Sequence, residues 1–293
     1  MSLADSSSAR IPVVETIEQA RAMIREWKLA GDSIAFVPTM GNLHEGHLAL
    51  VDAAFRHADR VLVSIFVNPL QFGQGEDFDT YPRTLEDDRR ALEARGASLL
   101  FAPSVVEMYP RPQTEQTRVE VPGISDILCG ASRPGHFVGV ATVVCKLLNM
   151  AQADVAVFGE KDYQQLMVIR LMVQDLAIPV EIVGCPTVRD SDGLALSSRN
   201  GYLNAEERRI APGIFTMLEA TKVAMQQGER DYAGLEARAI EALAAAGFDV
   251  DYFAIRQAHD LLPPNDMTTD FVILAAARLG VPRLIDNLAF TID

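Results

Sequence analysis

Short apolar runs alternate with amphipathic segments from residue 15 to residue 183. Five apolar runs predict buried strands, at 34–37, 61–67, 97–102, 154–158 and 180–183. Apolar residues at helical spacing predict helices at 15–29, 47–57, 84–95, about 140–150 and 163–176. Strand-helix-strand units of this length form parallel crossovers, so the pattern predicts an α/β domain with a Rossmann-like parallel sheet.

The pattern changes after residue 200, where two predicted helices (204–227 and 232–246) precede three predicted strands (249–255, 270–277 and 283–290). This order is typical of a smaller α+β domain. We therefore expect a Rossmann-like domain over 1–187 and a C-terminal α+β domain over 188–293 that acts as a lid. Two stretches lack periodicity: 74–82 is predicted to be a mobile loop, and 104–123 to be irregular apart from a short strand at 119–121.

Four polar clusters each follow a predicted strand of the parallel sheet, at 38–47, 68–73, 159–165 and 188–199. Ligands of open α/β sheets bind beyond the carboxyl ends of the strands, near a switch in strand order. Each cluster alone is compatible with an ordinary loop. Together they predict that residues far apart in sequence meet in one crevice.

The first cluster contains two histidines, His44 and His47, at the predicted start of a helix. Helix positions three apart share a face, so both rings can reach one ligand. A strand-turn-helix unit of this kind also directs unpaired backbone N–H groups, and the positive end of the helix dipole, above the strand, which suits a phosphate. The structural alternative is that both are loop histidines bound to backbone carbonyls.

The other clusters supply further polar groups. Charged and hydroxyl donors suited to a polyphosphate are Lys161, Arg199, Ser197 and Ser198, and amides suited to a carboxylate or hydroxyl are Gln71 and Gln165. No side chain stands out as a covalent nucleophile, and nucleotidyl transfer requires little beyond positioning and charge stabilisation. The chain lacks both a G-x-x-x-x-G-K-S/T loop and a G-x-G-x-x-G after a strand, which argues against a P-loop ATPase and a conventional dinucleotide dehydrogenase.

Composition narrows the classes of partner. The net charge of −14 and pI near 4.8 argue against a nucleic-acid-binding surface. Cys129, Cys145 and Cys185 are odd in number and far apart, so we expect neither a disulfide framework nor a zinc site, and a reducing cytoplasm is favoured. No apolar run approaches the length of a membrane span, and residues 1–10 lack a signal-peptide core and are expected to be disordered.

Six motifs follow one another along the chain: PTMGNLHEGH at 38–47, FVNPLQFG at 66–73, RPGHF at 133–137, GEKDYQQ at 159–165, DGLALSSRN at 192–200 and RLIDN at 283–287. In this order they resemble those of the pantothenate synthetase (pantoate–β-alanine ligase) family, within the HxGH nucleotidyltransferase superfamily. The likeness runs from about residue 12 to residue 290 and is weakest over 203–280. A long ordered set of motifs is far more specific than His-x-Gly-His alone.

The resemblance implies an ATP-dependent ligase that condenses (R)-pantoate with β-alanine. Pantoate and ATP, with Mg²⁺, would give pantoyl adenylate and pyrophosphate, and β-alanine would then give pantothenate and AMP. It also implies a cytoplasmic homodimer whose substrates are small molecules, with no nucleic acid or membrane partner.

By position, the resemblance assigns catalysis to His44, His47 and Lys161, which would stabilise charge shifting between the α-phosphate and pyrophosphate, with His47 as proton donor. Gln71 and Gln165 would hold pantoate, with Gln71 also near β-alanine. The ATP site would comprise Met40, Gly41, Asn42, Leu43, His44, Glu45, Gly46, His47, Gly159, Glu160, Lys161, Asp162, Val188, Leu196, Ser197, Ser198 and Arg199. Close approach to ATP would account for Gly41 and Gly46.

Other polar residues have simpler interpretations, and no metal ligand is assigned. Asp87 and Asp88 could approach Mg²⁺, but acids in the first turn of a helix stabilise it, and we prefer that interpretation. We expect His57 and His259 at the surface and His136 at a helix start. Two other functions stay open: a nucleotidyltransferase that joins ATP to a phosphate acceptor, and an ATP-sensing binding module.

Overall fold

The computed structural model describes residues 10–73 and 75–292, so the disorder expected for the first nine residues lies outside the described part. The strands are β1 Val13–Val14, β2 Ile34–Thr39, β3 Arg60–Ile65, β4 Leu99–Phe101, β5 Val155–Gly159, β6 Glu181–Cys185, β7 Asp249–Gln257, β8 Asp270–Arg278 and β9 Arg283–Thr291. The helices are α1 Ile17–Ala30, α2 Glu45–Ala54, α3 Leu85–Ala94, α4 Val105–Met108, α5 Cys129–Ser132, α6 His136–Ala151, α7 Tyr163–Asp175, α8 Ala205–Ile210, α9 Gly213–Gln226 and α10 Tyr232–Ala245.

Strands β1 to β6 form one parallel sheet in the order β1-β4-β3-β2-β5-β6. Strand β2 is central, with Val37 opposite Val63 of β3 and Ala35 opposite Val155 of β5. The chain builds outward from β2 through β3 on one side and later through β5 on the other. This reversal of strand order opens a crevice at the carboxyl ends of β2 and β5. The predicted Rossmann-like parallel sheet is confirmed.

Alternate side chains of the central strands enter two separate apolar cores. On one face, Phe36 and Leu62 pack with apolar residues of α6 and α7, and on the other face Val37 and Val63 pack with those of α2. All four side chains are almost fully buried. Because helices cover both faces, these strands consist of continuous apolar runs without a polar face.

Strands β7, β8 and β9 form an antiparallel sheet in that order, which confirms the predicted smaller α+β domain. Leu218 of α9 and Leu243 of α10 pack against Phe271 and Ile273 of β8. The single helix predicted over 204–227 is wrong, because the chain forms two helices, α8 and α9, separated at Pro212. Proline has no backbone N–H, so it cannot continue the hydrogen-bond ladder of α8.

Other differences from the sequence expectations concern short elements. Strand β1, which pairs with β4, is too short for periodicity to reveal. Residues 119–121 are not a strand; the Val119 N–H instead donates to Thr142 Oγ1 over 2.9 Å. The stretch predicted to be irregular contains α4 and a 3-10 turn at Gln113–Glu115. No helix in the described part of the chain has both the length and the apolar character of a membrane span.

Candidate active site

The histidine loop joins β2 to α2 and differs in one respect from the prediction. Helix α2 begins at Glu45 rather than at residue 47, so His44 is its N-cap. The Gly46 N–H donates to His44 Nδ1 over 3.1 Å, and the His44 N–H donates to His47 Nδ1 over 3.4 Å. The two histidines therefore form a reciprocal capping box, a role usually filled by Ser or Thr with Glu or Gln.

The capping box also determines which ring nitrogen carries the proton. In each neutral imidazole the Nδ1 that accepts a backbone N–H has no hydrogen, so the proton lies on Nε2. The ring centroids of His44 and His47 are 4.1 Å apart, and both rings line the same cavity. The pair thus places two adjacent Nε2–H donors beside this cavity.

Burial keeps both histidines neutral in the free protein. Burial, followed by the neighbouring Lys161 charge, lowers the pKa of His44 to about 4. Burial, followed by repulsion from His44 and Lys161, lowers the pKa of His47 to about 3. Both rings are consequently hydrogen-bond donors rather than cations at neutral pH.

A buried carboxylate supports the loop before the histidines. Asp88 of α3 accepts the N–H groups of Asn42 over 2.9 Å and of Leu43 over 2.8 Å. Asp88 is 3% exposed. The preferred interpretation of Asp88 as a simple helix-start acid is therefore incomplete, and the expectation that these loop N–H groups are unpaired is wrong. Asp88 therefore stabilises the conformation of the histidine loop, a role that its position in the sequence did not reveal.

The two glycines of the loop are also required by contacts within the protein. A Cβ on Gly41 would lie 3.1 Å from Asp88 Oδ2, and Gly41 has a left-handed φ of 83°. A Cβ on Gly46 would lie 2.8 Å from the His44 ring. Gly41 and Gly46 thus make room for Asp88 and for the His44 imidazole, so close approach to ATP is not needed to explain them.

Two carboxylate–arginine pairs hold the loop that follows β3. Glu76 binds Arg133 through both oxygens at 2.6 Å, and Asp77 binds Arg199 at 2.9 and 3.2 Å. Burial raises the pKa of Glu76, but the hydrogen bonds and charge of Arg133 outweigh it and hold this pKa at about 2. Arg199, expected to bind ATP, is therefore engaged by a carboxylate.

His136 begins α6, as predicted, but it also reaches the site. Its Nδ1 donates to the Gln71 carbonyl oxygen over 2.8 Å, and its Nε2 accepts from Arg133 Nη1 over 3.0 Å. Burial and the Arg133 charge lower the pKa of His136 to about 4. His136 thus helps to place the backbone that carries Gln71.

Two adjoining cavities, of about 210 and about 510 Å³, open at the predicted crevice. Predicted site residues that line one or both are Met40, His44, Gly46, His47, Gln71, Gly159, Lys161, Asp162, Gln165, Val188, Leu196, Ser197, Ser198 and Arg199. All four polar clusters therefore contribute to one site. Sequence reasoning assigned no role to Asn68, Tyr81 or Glu76, which also line it. Asn68 lies within the motif at 66–73, whereas Glu76 and Tyr81 lie in the aperiodic stretch 74–82.

Five residues expected at the ATP site do not line these cavities: Gly41, Asn42, Leu43, Glu45 and Glu160. Glu45 faces outward and pairs with Arg95 at 2.6 Å. Among the described residues, no group of three His, Cys, Asp or Glu side chains is arranged to hold a metal ion. Cys129, Cys145 and Cys185 are all free thiols.

The buried histidines make stability depend on pH. Their folded pKa values lie below the ordinary 6.5, so unfolding takes up protons between about pH 6.5 and about pH 4. We expect the free energy of unfolding to be highest above that window and to fall on acidification through it. His47 and His136 would each contribute about 1.4 kcal/mol per pH unit. Urea unfolding at intervals from about pH 7 to about pH 5 measures the slope.

His136→Gln is expected to flatten this slope, because it removes one of the groups that titrate on unfolding. His57→Gln, at an exposed position, serves as the control. A free energy of unfolding that does not change over this pH range would contradict the prediction.

Comparison with known proteins agrees with the fold. A sequence model of the pantoate-beta-alanine ligase family matches residues 12–289. The chain is 57% identical over 280 residues to the pantothenate synthetase of Pseudomonas fluorescens (96% of this chain, 99% of the relative). It is 58% identical over 275 residues to that of Idiomarina loihiensis (94% and 98%).

Solved structures show the same relationship. The crystal structure of pantothenate synthetase from Thermus thermophilus has a TM-score of 0.88 to this chain at 49% sequence identity. The match covers 95% of this chain and 99% of the Thermus chain. A pantoate-beta-alanine ligase from Francisella tularensis, complexed with beta-gamma ATP and beta-alanine, has a TM-score of 0.80 at 35% identity (95% and 97%). This chain belongs to the pantoate-beta-alanine ligase family.

Proposed function

We propose that the two adjoining cavities are where this ligase activates pantoate with ATP and then joins it to β-alanine. The observation that carries the proposal is the meeting of the His44–His47 pair, Lys161 and Gln71 at the switch point of the sheet. These residues supply donors for phosphate oxygens beside amides for an organic acid.

In the first step, a carboxylate oxygen of pantoate attacks the α-phosphorus of ATP. The bond from that phosphorus to the bridging oxygen breaks, and its electron pair leaves with pyrophosphate. The Nε2–H groups of His44 and His47 and the Lys161 ammonium stabilise the charge that moves onto these oxygens. His47 is neutral before ATP binds, so it acts first as a hydrogen-bond donor; bound phosphate charge would raise its pKa.

In the second step, the amine of β-alanine attacks the acyl carbon of the pantoyl adenylate. The bond from that carbon to the phosphate oxygen breaks, AMP leaves with the electron pair, and the amine nitrogen loses a proton. Gln71 and Gln165 hold the pantoyl group during both steps, with Gln71 also near β-alanine. Both amides line both cavities.

The segment between the two sheets completes the ATP site. Leu196 and Ser197 line the smaller cavity with Val188, and Ser198 Oγ donates to the Asn42 carbonyl over 3.2 Å. This contact joins the segment directly to the histidine loop. We therefore propose that residues 188–293 act as a lid whose closure brings Arg199 from Asp77 to the phosphates.

Mg²⁺ would enter this site on ATP. A magnesium ion typically takes one or two carboxylates together with substrate phosphates rather than an all-protein cage. Asp162 fits this requirement, because it lines both cavities and its nearest cation, Lys161 Nζ, is 3.9 Å away. When bound, the metal supplies charge neutralisation on the triphosphate. Asp88 does not fit, because backbone N–H groups already occupy both of its oxygens.

Pantoate-dependent exchange of labelled pyrophosphate into ATP tests the proposal, followed by AMP release on adding β-alanine. Exchange that requires pantoate, and AMP formation that requires the amine, are expected. No exchange with pantoate present would overturn the proposed adenylate. An ATP-sensing module would bind ATP without exchange, and a nucleotidyltransferase acting on a phosphate acceptor would release pyrophosphate without pantoate or any amine.

We also propose that the enzyme works as a homodimer in the cytoplasm. Its three free thiols suit a reducing compartment. Light scattering during size-exclusion chromatography tests the dimer, and a mass of one 32.0 kDa chain would contradict it.

A further inference from the structure

A chain of two hydrogen bonds leads from the buried Tyr109 to the half-buried Gln71. The Tyr109 hydroxyl bonds to Asn68 Oδ1 over 2.8 Å, and Asn68 Nδ2 bonds to Gln71 Oε1 over 3.0 Å. Tyr109 is 5% exposed and Asn68 is 1% exposed. Tyr109 lies in the stretch that the sequence predicted to be irregular, directly after α4.

Two backbone contacts show which way the Asn68 amide faces. The Leu70 N–H can only donate, and it contacts Asn68 Oδ1 over 3.3 Å. The Gly139 carbonyl can only accept, and it contacts Asn68 Nδ2 over 3.1 Å. Asn68 therefore offers a donor to Gln71, so Gln71 must turn its oxygen towards Asn68 and its Nε2 donors away from it.

We propose that Tyr109 is a positioning residue that acts through Asn68 to make Gln71 a hydrogen-bond donor towards the substrate. Its hydroxyl makes the shorter of the two bonds to Asn68 Oδ1, and the other is a long backbone contact. Burial raises the pKa of Tyr109 well above 10, so the hydroxyl remains a donor at every working pH. The Phe66 ring, 6.0 Å from the Tyr109 ring, helps to hold it in place.

The orientation defines which chemical group Gln71 recognises. Its Nε2 donates to Met40 Sδ over 3.0 Å, and a thioether is a weak acceptor that a substrate oxygen readily replaces. Gln71 thus suits a hydroxyl or carboxylate oxygen and disfavours a group that can only donate. This inference rests on the proposed function, in which that oxygen belongs to pantoate.

A double-mutant cycle in the pyrophosphate exchange assay tests the inference, using Tyr109→Phe, Gln71→Ala and the double variant. Tyr109→Phe is expected to raise the KM for pantoate about three- to tenfold, the effect of one buried hydrogen bond, and to leave the KM for ATP unchanged. In the Gln71→Ala background the same change should have no further effect on pantoate, because Tyr109 acts only through that amide. Tyr232→Phe, in the C-terminal domain, controls for loss of a tyrosine hydroxyl.

The outcomes separate this inference from the proposed function. If Gln71→Ala leaves the KM for pantoate unchanged, the assigned role of Gln71 is wrong and the inference fails with it. If Gln71→Ala raises that KM and Tyr109→Phe does not, the inference alone is overturned. Tyr109→Phe could also raise the KM for pantoate equally in the wild type and in Gln71→Ala, or raise the KM for ATP as much as the KM for pantoate. Either result would assign Tyr109 a merely structural role and overturn the inference.

Discussion

Replacing His47 or Lys161 by alanine is expected to slow pantoate-dependent adenylate formation by about two or more orders of magnitude. Each substitution removes a donor or a charge from the smaller cavity, where developing negative charge on the phosphates would otherwise be stabilised. The effect should appear mainly in kcat, since these interactions strengthen in the transition state. Pyrophosphate–ATP exchange measures the rate, and a thermal melt checks that the variants remain folded.

His47 also belongs to the capping box of α2, so its two roles must be separated. Glutamine is a preferred capping-box residue at the same helix position, so His47→Gln can keep the backbone contact while removing the imidazole. We expect it to be nearly as inactive as His47→Ala but to melt closer to the wild type. His57 and Lys28 are exposed, so His57→Gln and Lys28→Ala serve as matched controls. We expect both controls to keep the wild-type rate. An active His47→Gln, or an early melt of the inactive variants, would favour a purely structural role.

Replacing Gly139 by alanine is expected to lower kcat/KM for pantoate by about 10- to 100-fold without any change in a polar group. Helix α6 packs directly on the 3-10 turn Pro69–Gln71, and a Cβ on Gly139 would lie 2.2 Å from the Leu70 carbonyl oxygen and 2.7 Å from Gln71 Cα. Both contacts are with backbone, so the turn must move and carry the Gln71 amide with it. Steady-state kinetics with pantoate varied at saturating ATP measures the loss.

Gly213→Ala is the matched control for this steric argument. An added Cβ there would only contact the Phe248 ring at 3.4 Å, within ordinary van der Waals distance. We expect its pantoate kinetics to resemble the wild type. A Gly139→Ala variant with wild-type kcat/KM would show that the turn tolerates displacement, which would weaken the assignment of pantoate to Gln71.

The sequence predicted those parts of the fold and site that depend on local pattern. The buried runs at 34–37 and 154–158 identified β2 and β5, and parallel connections then placed the loops after them at one edge of the sheet. His44, His47 and Lys161 follow those strands directly, so their meeting could be expected. They could be identified from sequence because they are histidine and lysine side chains in polar loops that follow apolar strands.

The parts that escaped prediction depend on contacts between distant segments. Asp88 looks like any acid in the first turn of a helix, and only the folded chain shows that it binds the Asn42 and Leu43 N–H groups. The partners of Glu76 and Asp77 lie 57 and 122 residues away along the chain. No periodicity or local spacing reveals such pairs. The helix break at Pro212 could have been found, since proline is a local signal.

The central place of β2 has a consequence for how the protein is made. A growing chain contains β1 to β4 once residue 101 is joined, but β5 is complete only at residue 159. Until then the edge of β2 at Ala35 and Phe36, which later pairs with Val155 and Ala156, is an unpaired apolar strand edge. Fragments that end before β5 should therefore aggregate. The strand that leads into the histidine loop gains its second partner late, so the proposed active site becomes ordered only after β5 has been made.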